Sequence, residues 1–222
     1  MRTRILLIAN LLLAACAAVP SGDPMPEALA AGGHATAYGH FPAPRGSLQL
    51  GPEDTLLDLL GAWEEVTGLT FSTDERTHRQ LEATPLGIGR EVTVPQESVY
   101  AWAGGLLLQH GFMMADLAGA EPRLVGVYSP GQSDPPAIDV PVEQLGEFAH
   151  HPALMIKTTL QLENVDVRTL GNSLRGLSSD STGRQCVIPV GSTSTVLLQG
   201  TVRMVTDLVE TLQRINAEEG AE

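Results

Sequence analysis

Residues 155–162, with the sequence MIKTTLQL, begin the stretch that decides the fold. In an extended chain every second side chain points the same way, and that two-residue period predicts a half-buried β-strand. The apolar side of this strand carries Ile156, Thr158, Leu160 and Leu162. Asp166 then supplies a helix N-cap. The helix that it begins is predicted from residues at helical spacing, which are Val167, Leu170, Leu174 and Leu177.

A hairpin and a last helix complete this stretch. Residues 185–190 and 195–199 are predicted strands, joined by a polar turn at 191–194. Thr201 is predicted to cap an amphipathic helix whose inward residues are Val202, Val205, Leu208, Val209, Leu212 and Ile215. Residues 153–217 therefore predict one small domain in the order β-α-β-β-α, and residues 218–222 are left as a tail.

A second compact unit is predicted upstream, at residues 48–128. Thr55 stands three residues before Asp58, which is the spacing of a helix capping box, and Gly68 is suited to end that helix. Helices are predicted at 55–67, 74–83 and 96–109, and strands at 47–50, 69–72, 91–94, 112–115 and 123–128. Gly104 and Gly105 each cost the third helix about 1 kcal/mol relative to alanine, so we expect it to pack closely against a sheet.

The segments outside these two units are rich in proline and small residues. Residues 129–152 are predicted to be a linker because four prolines and a glycine cluster within residues 130–141, namely Pro130, Gly131, Pro135, Pro136 and Pro141. Residues 16–47 have no helical or strand period and are predicted to be a flexible tether, with a reach of roughly 30 Å. The predicted fold class is α+β, with two small α/β sandwich-like domains after a signal peptide and this tether.

The N-terminus has the three-part plan of a secretory signal peptide, predicted to cover residues 1–15. Arg2 and Arg4 precede an apolar run from residue 5 to residue 15. This run is too short to span a bilayer as a helix, which takes about 20 residues. The sequence therefore predicts export from a bacterial cytoplasm.

Leu13-Ala14-Ala15-Cys16 closes the apolar run and resembles the lipobox of bacterial lipoproteins. The resemblance implies that Cys16 is lipidated and becomes the new N-terminus, and that Ala17 after it directs the protein to the outer membrane. Ordinary signal cleavage stays open as an alternative, because residues 15–17 also offer small residues at a suitable spacing. If Cys16 is lipidated or removed, Cys186 has no partner for an intramolecular disulfide, and we expect it to be a small core residue.

The net negative charge of the chain argues against anionic partners. The chain has 26 acidic and 13 basic residues, a net charge of -13. Without residues 1–15, which hold Arg2 and Arg4, the count is 11 against 26, or -15. Such a chain repels nucleic acid and anionic lipid headgroups, so we predict no nucleic-acid partner and membrane attachment only through an anchor on Cys16. The acidity also fits a role in solubility alone.

The sequence predicts no catalytic residue, no cofactor and no metal site. His34, His40, His78, His150 and His151 lack the spacing of a zinc site. Glu64–Glu65 and Glu218–Glu219 are interpreted as solvated acid pairs, and no hydrolase or phosphate-binding motif is present. An envelope hydrolase is therefore the least favoured of the hypotheses.

The two units in this order resemble the periplasmic N-terminal domains of secretins, the ring-forming outer-membrane channels of type II and type III secretion and of type IV pili. Residues 160–166, LQLENVD, and 194–200, STVLLQG, carry the clearest match. They resemble the repeated secretin N-domain with its KH-like β-α-β-β-α fold, whereas residues 48–128 resemble the first N-domain. No GXXG loop, the element by which KH modules grip RNA, lies at the helix junction of residues 153–217.

This resemblance implies a function in protein–protein contact. Secretins carry their pore in a C-terminal β-barrel domain that is not represented in these residues, so we expect interaction rather than channel activity. The partners implied are a secretin or other secretion or pilus components, together with edge-to-edge self-association. The alternative is a stand-alone envelope lipoprotein that acts as an assembly factor or a signalling-type regulator.

Overall fold

The computed structural model describes residues 41–118, 123–129, 131, 135–167, 169–170, 186–191 and 193–220. The predicted signal peptide, Cys16 and most of the predicted tether lie outside these residues, as does most of the helix predicted after Asp166. Within the described part of the chain, no helix is both long and apolar enough to cross a membrane.

Two small sheets form the upstream unit. β1 (Leu48–Leu50) pairs antiparallel with β3 (Val92–Val94). In the other sheet β5 (Leu124–Tyr128) lies in the middle, parallel to β2 (Thr70–Ser72) and antiparallel to β4 (Met113–Ala118). The pairing of β2 with β5 requires a long crossover, and two helices lie between these strands in the sequence, together with β3 and β4.

Three helices accompany these sheets: α1 (Leu56–Thr67), α2 (Glu75–Ala83) and α3 (Val99–Gln109). Thr55 and Asp58 form the predicted capping box of α1, and Gly68 ends this helix with a left-handed φ of 74°. The buried side of α1 includes Leu56, Leu60 and Trp63, as the spacing of these residues predicts. A 3-10 turn at Gln96–Ser98 leads into α3.

The downstream sheet has four strands in the order β6-β7-β9-β8. β7 (Met155–Gln161) pairs antiparallel with β9 (Thr195–Thr201), and β9 pairs with β8 (Val187–Pro189). The last helix, α4 (Val202–Glu219), buries Val202, Val205, Leu208, Val209 and Leu212. Thr201 is its N-cap residue, but its side chain makes no capping hydrogen bond. The fold class is α+β, as the sequence predicts.

The segment predicted to be a linker is part of this sheet. β6 (Ile138–Asp139) runs parallel to β7, with Ile138 opposite Ile156. A 3-10 helix follows at Val142–Phe148, and the apolar residues Val140, Leu145 and Phe148 are buried. Pro141 is the N-cap residue of the 3-10 helix, so this proline begins a short element of the fold.

The two units contact each other at the start of β7. The Met114 backbone N–H donates to the carbonyl of Ala153 at 2.8 Å, and Met114 forms an isolated parallel bridge with Leu154. The buried side chains of both units form one continuous cluster. The position of the boundary between two domains stays a prediction.

Candidate interaction surface

The downstream sheet has one covered face and one open face. Val187, Val196, Leu198 and Leu160 are buried, and α4 packs on β7 and β9. Alternation along the strands places Ile188, Val190 and Leu197 on the opposite face. Ile188 is 38% exposed and Val190 41% exposed. We call this group of three side chains the open-face patch.

The open-face patch lies near one edge of the sheet, with Ile188 on β8, the last strand of the sheet order, Val190 directly after that strand and Leu197 on β9. Gln199 N–H donates to the carbonyl of Cys186, and Val190 N–H donates to the carbonyl of Thr195. The backbone groups of Val187 and Pro189 therefore point away from β9. Proline has no N–H to donate, so Pro189 disfavours the addition of a further strand at this edge. A partner on this side is expected to contact the side chains of the face.

Polar side chains surround the open-face patch. Thr159 lies opposite Leu197 on the neighbouring strand, and Gln199 lies opposite Lys157. The ammonium of Lys157 is 3.7 Å from a carboxylate oxygen of Asp139, an exposed pair that contributes little to stability. An apolar centre with a polar rim is the usual composition of a protein–protein contact.

A buried ion pair lies in the upstream unit. Arg123 Nη1 is 2.9 Å from Asp116 Oδ2, and both side chains are almost fully buried. The guanidinium carbon of Arg123 also lies 4.9 Å from the centre of the Phe41 ring. Burying two charges is costly unless they are paired, so this pair fixes the local geometry around Phe41.

Phe41 belongs to a cluster of rings that sequence reasoning missed. Its ring centre is 4.5 Å from that of His151 and 6.0 Å from that of Tyr100. Phe41 is 5% exposed, although it lies in the segment predicted to be a tether. The one sequence signal for this contact is the motif Phe41-Pro42-Ala43-Pro44-Arg45, which places the only aromatic residue of residues 39–47 between small residues and prolines.

The other residues considered from the sequence are scattered. Cys16, His34 and His40 lie outside the described residues, and His78 is exposed on α2. Cys186 is buried, which agrees with the predicted role as a core residue. In the described part of the chain, no three His, Cys, Asp or Glu side chains come close enough to hold a metal ion.

Three carboxylates on helices have either a hydrogen bond that joins two elements or a shifted pKa. Glu64 is not simply solvated, because its side chain accepts a hydrogen bond from the Phe71 N–H at 2.7 Å and so joins α1 to β2. The hydrogen bonds from Thr55 lower the pKa of Asp58. Partial burial on α4 raises the pKa of Asp207, and nearby Arg203 opposes that change.

These features define an α+β protein with small sheets and an apolar patch on an open sheet face. No family model matches the chain, and no curated protein matches it. The solved structures to which it is similar include N-terminal domains of secretins.

One of these is a dimeric mutant of the N-terminal domain of the secretin XcpQ from Pseudomonas aeruginosa, with 14% identity and a TM-score of 0.25. Another is the GspC–GspD complex from the type II secretion system of enterotoxigenic Escherichia coli, with 13% identity and a TM-score of 0.25. A third, XcpQN012, has 10% identity and a TM-score of 0.26.

Each match covers 77% of this chain. The shares covered of the other chains are 64% for the XcpQ mutant, 99% for the GspC–GspD chain and 65% for XcpQN012. At this level of identity and TM-score, the matches do not define the family of this chain.

Proposed function

We propose that this chain is a non-enzymatic protein–protein interaction protein of a bacterial envelope system of the type II secretion or type IV pilus kind. In this proposal it lies in the periplasm, anchored to the outer membrane through a lipidated Cys16. Its partners are a secretin or other components of the secretion or pilus machinery.

The observation that carries the proposal is the open-face patch. Exposure of contiguous apolar side chains to water is unfavourable, so such a patch often marks a binding surface. An apolar patch with a polar rim is typical of a protein–protein contact surface. Ile188 and Val190 are among the few large apolar side chains that are exposed in the described residues. Leu197 lies directly opposite Ile188 in the pairing of β8 with β9.

The class of partner is proposed from the sequence. Residues 160–166 and 194–200 carry the resemblance to secretin N-domains, and the N-terminal residues carry the resemblance to a lipoprotein signal. The open-face patch lies within residues 153–217, the unit that resembles the repeated secretin N-domain. It is therefore suited to bind a component of the same envelope machinery.

The experiment that tests this proposal is site-specific photocrosslinking in cells. A photoreactive amino acid replaces Ile188 in one strain and Glu210 in a control strain, because Glu210 is exposed on α4 rather than on the open face. The Ile188 position is expected to crosslink a secretin or another secretion component, and the Glu210 position is expected not to.

The outcomes separate the two hypotheses. Crosslinks from Ile188 only to proteins unrelated to secretion or pili would contradict the proposal and favour the stand-alone lipoprotein. Equal crosslinking from both positions would show that the open-face patch is not the contact surface.

A further inference from the structure

The chain carries its own bound peptide next to α3. Residues 41–45, which we call the strap, have the sequence Phe-Pro-Ala-Pro-Arg and cross the N-terminal end of α3. The Tyr100 hydroxyl donates to the carbonyl of Pro42 at 2.6 Å, and the Gln96 side-chain amide donates to the carbonyl of Pro44. Side chains of the fold thus recognise the backbone carbonyls of the strap, which any extended peptide would present.

The anchor of the strap is its aromatic residue. The Phe41 ring packs against the rings of Tyr100 and His151 and under the guanidinium of Arg123. We call the site formed by Gln96, Tyr100, Arg123 and His151 the slot. In the recognition of proline-rich peptides, an extended segment docks in a groove lined by aromatic side chains, and the rings of Tyr100 and His151 line this site.

The walls of the slot have their own supports in the fold. Arg123 is paired with Asp116 at 2.9 Å. Tyr100 lies within α3, where its ring is 5.7 Å from the ring of Trp63. The backbone N–H of His151 donates to the carbonyl of Phe148 at 2.8 Å. Each of these three wall residues therefore has a contact in the fold besides its contact with the strap.

The two prolines make the strap a suitable ligand. Each fixes its own φ and restricts the residue before it to extended conformations. Little conformational freedom is lost when such a segment binds, and proline has no N–H that must find a partner.

We propose that the slot is a peptide-binding site, closed in cis by the strap, and that it binds an extended aromatic–Pro–x–Pro segment of a partner protein when the strap leaves. The strap then acts as an autoinhibitory contact. This proposal does not depend on the proposed function, because the site can be tested on the purified chain.

The experiment uses the intact chain and a labelled synthetic peptide with the sequence of residues 40–47, HFPAPRGS. Fluorescence anisotropy measures binding to the wild type and to Phe41→Ala, in which the strap loses its anchor. The peptide is expected to bind Phe41→Ala at least about tenfold more tightly, because burial of a phenylalanine side chain exceeds the free energy of a tenfold affinity change.

Three controls make the result specific to the slot. A peptide with alanine in place of its phenylalanine is expected to bind neither chain. Adding Gln96→Ala to Phe41→Ala is expected to weaken binding, since it removes a donor to the peptide backbone. Phe71→Ala also loosens this unit, because the Phe71 ring packs on Trp63, but it leaves the strap and its anchor in place and is therefore expected to gain no binding.

The proposal is overturned if Phe41→Ala binds the peptide no better than the wild type, or if Phe71→Ala gains as much. It is also overturned if the alanine peptide binds as well as the phenylalanine peptide. If circular dichroism shows that Phe41→Ala is unfolded, the slot needs the strap for its shape, and the proposal is overturned.

Discussion

Gly104 of α3 lies directly against Pro152, the residue that precedes the start of β7 by three positions. A β-carbon on Gly104 would come within 3.1 Å of Pro152 Cδ and 3.2 Å of Cγ. The sequence predicts close packing of this helix against a sheet. The contact is instead with a proline of the connection to the downstream unit, so the glycine lets the two units approach.

Gly104→Leu is expected to destabilise the chain by about 1–3 kcal/mol, because the larger side chain forces α3 and Pro152 apart. Gly61→Ala is the matched control, since Gly61 is exposed on α1 with nothing within 4 Å of an added β-carbon. That change is expected to stabilise the chain by about 0.5–1 kcal/mol through helix propensity. Urea unfolding measures both, and a Gly104→Leu chain as stable as the wild type would refute the contact.

Asp58→Asn is expected to lower stability at neutral pH and to leave it unchanged in strong acid. The pKa of Asp58 is lowered from its ordinary value of 3.8 by the hydrogen bonds with Thr55. Its contribution is therefore present above pH 3.8 and is lost as the pH falls through the lower pKa of the folded state. The carboxylate is exposed, so the effect is at most about 1 kcal/mol.

Thermal unfolding from pH 7 to pH 2 checks this prediction. Glu65→Gln removes an exposed acid from the same helix without touching the capping box, and it is expected to change stability little at any pH. A difference between Asp58→Asn and the wild type that persists unchanged at pH 2 would contradict the assignment.

Asp116→Ala is expected to cost about 3–5 kcal/mol, because it leaves the Arg123 charge buried without its partner. The double variant Asp116→Ala with Arg123→Met is expected to recover much of that loss, since neither charge then remains. Asp139→Asn removes the acid of the exposed pair with Lys157 and is expected to cost at most about 1 kcal/mol. Chemical denaturation of the four chains measures these differences, and equal effects at Asp116 and Asp139 would be inconsistent with burial of the first pair.

Cys16→Ser is expected to abolish lipid labelling and to release the protein from the membrane fraction. Metabolic labelling with an alkyne-bearing fatty acid and cell fractionation measure both effects. Cys186→Ser is the control, because Cys186 is the other cysteine and is buried, so labelling is expected to persist. A wild type that carries no label would favour ordinary signal cleavage.

Local rules predicted much of the fold. The helix that starts after Thr55 and ends before Gly68 follows from caps and spacing within one segment, and β7 follows from its alternation. Such signals depend on neighbours in sequence, so a reading of the sequence alone finds them.

The features that were not predicted from the sequence depend on contacts between residues that are far apart in the chain. β6 has two residues, too few to show a period, and its prolines favoured a linker. Phe41 has mostly small residues and prolines around it in the sequence. The Tyr100 hydroxyl, which donates to the carbonyl of the following residue, Pro42, is 58 positions away from Pro42 in the sequence. The open-face patch was missed because Ile188 and Val190 resemble core residues until the covered face of the sheet is known.

Pro189 has a consequence for behaviour at high concentration. At high concentration, chains encounter one another while they fold. A strand edge with unpaired N–H and C=O groups would let them pair through their backbones and form insoluble aggregates. A proline on the outer edge of β8 interrupts that ladder. Contacts at this edge are then made through the side chains of the sheet face, and such contacts can form and dissociate.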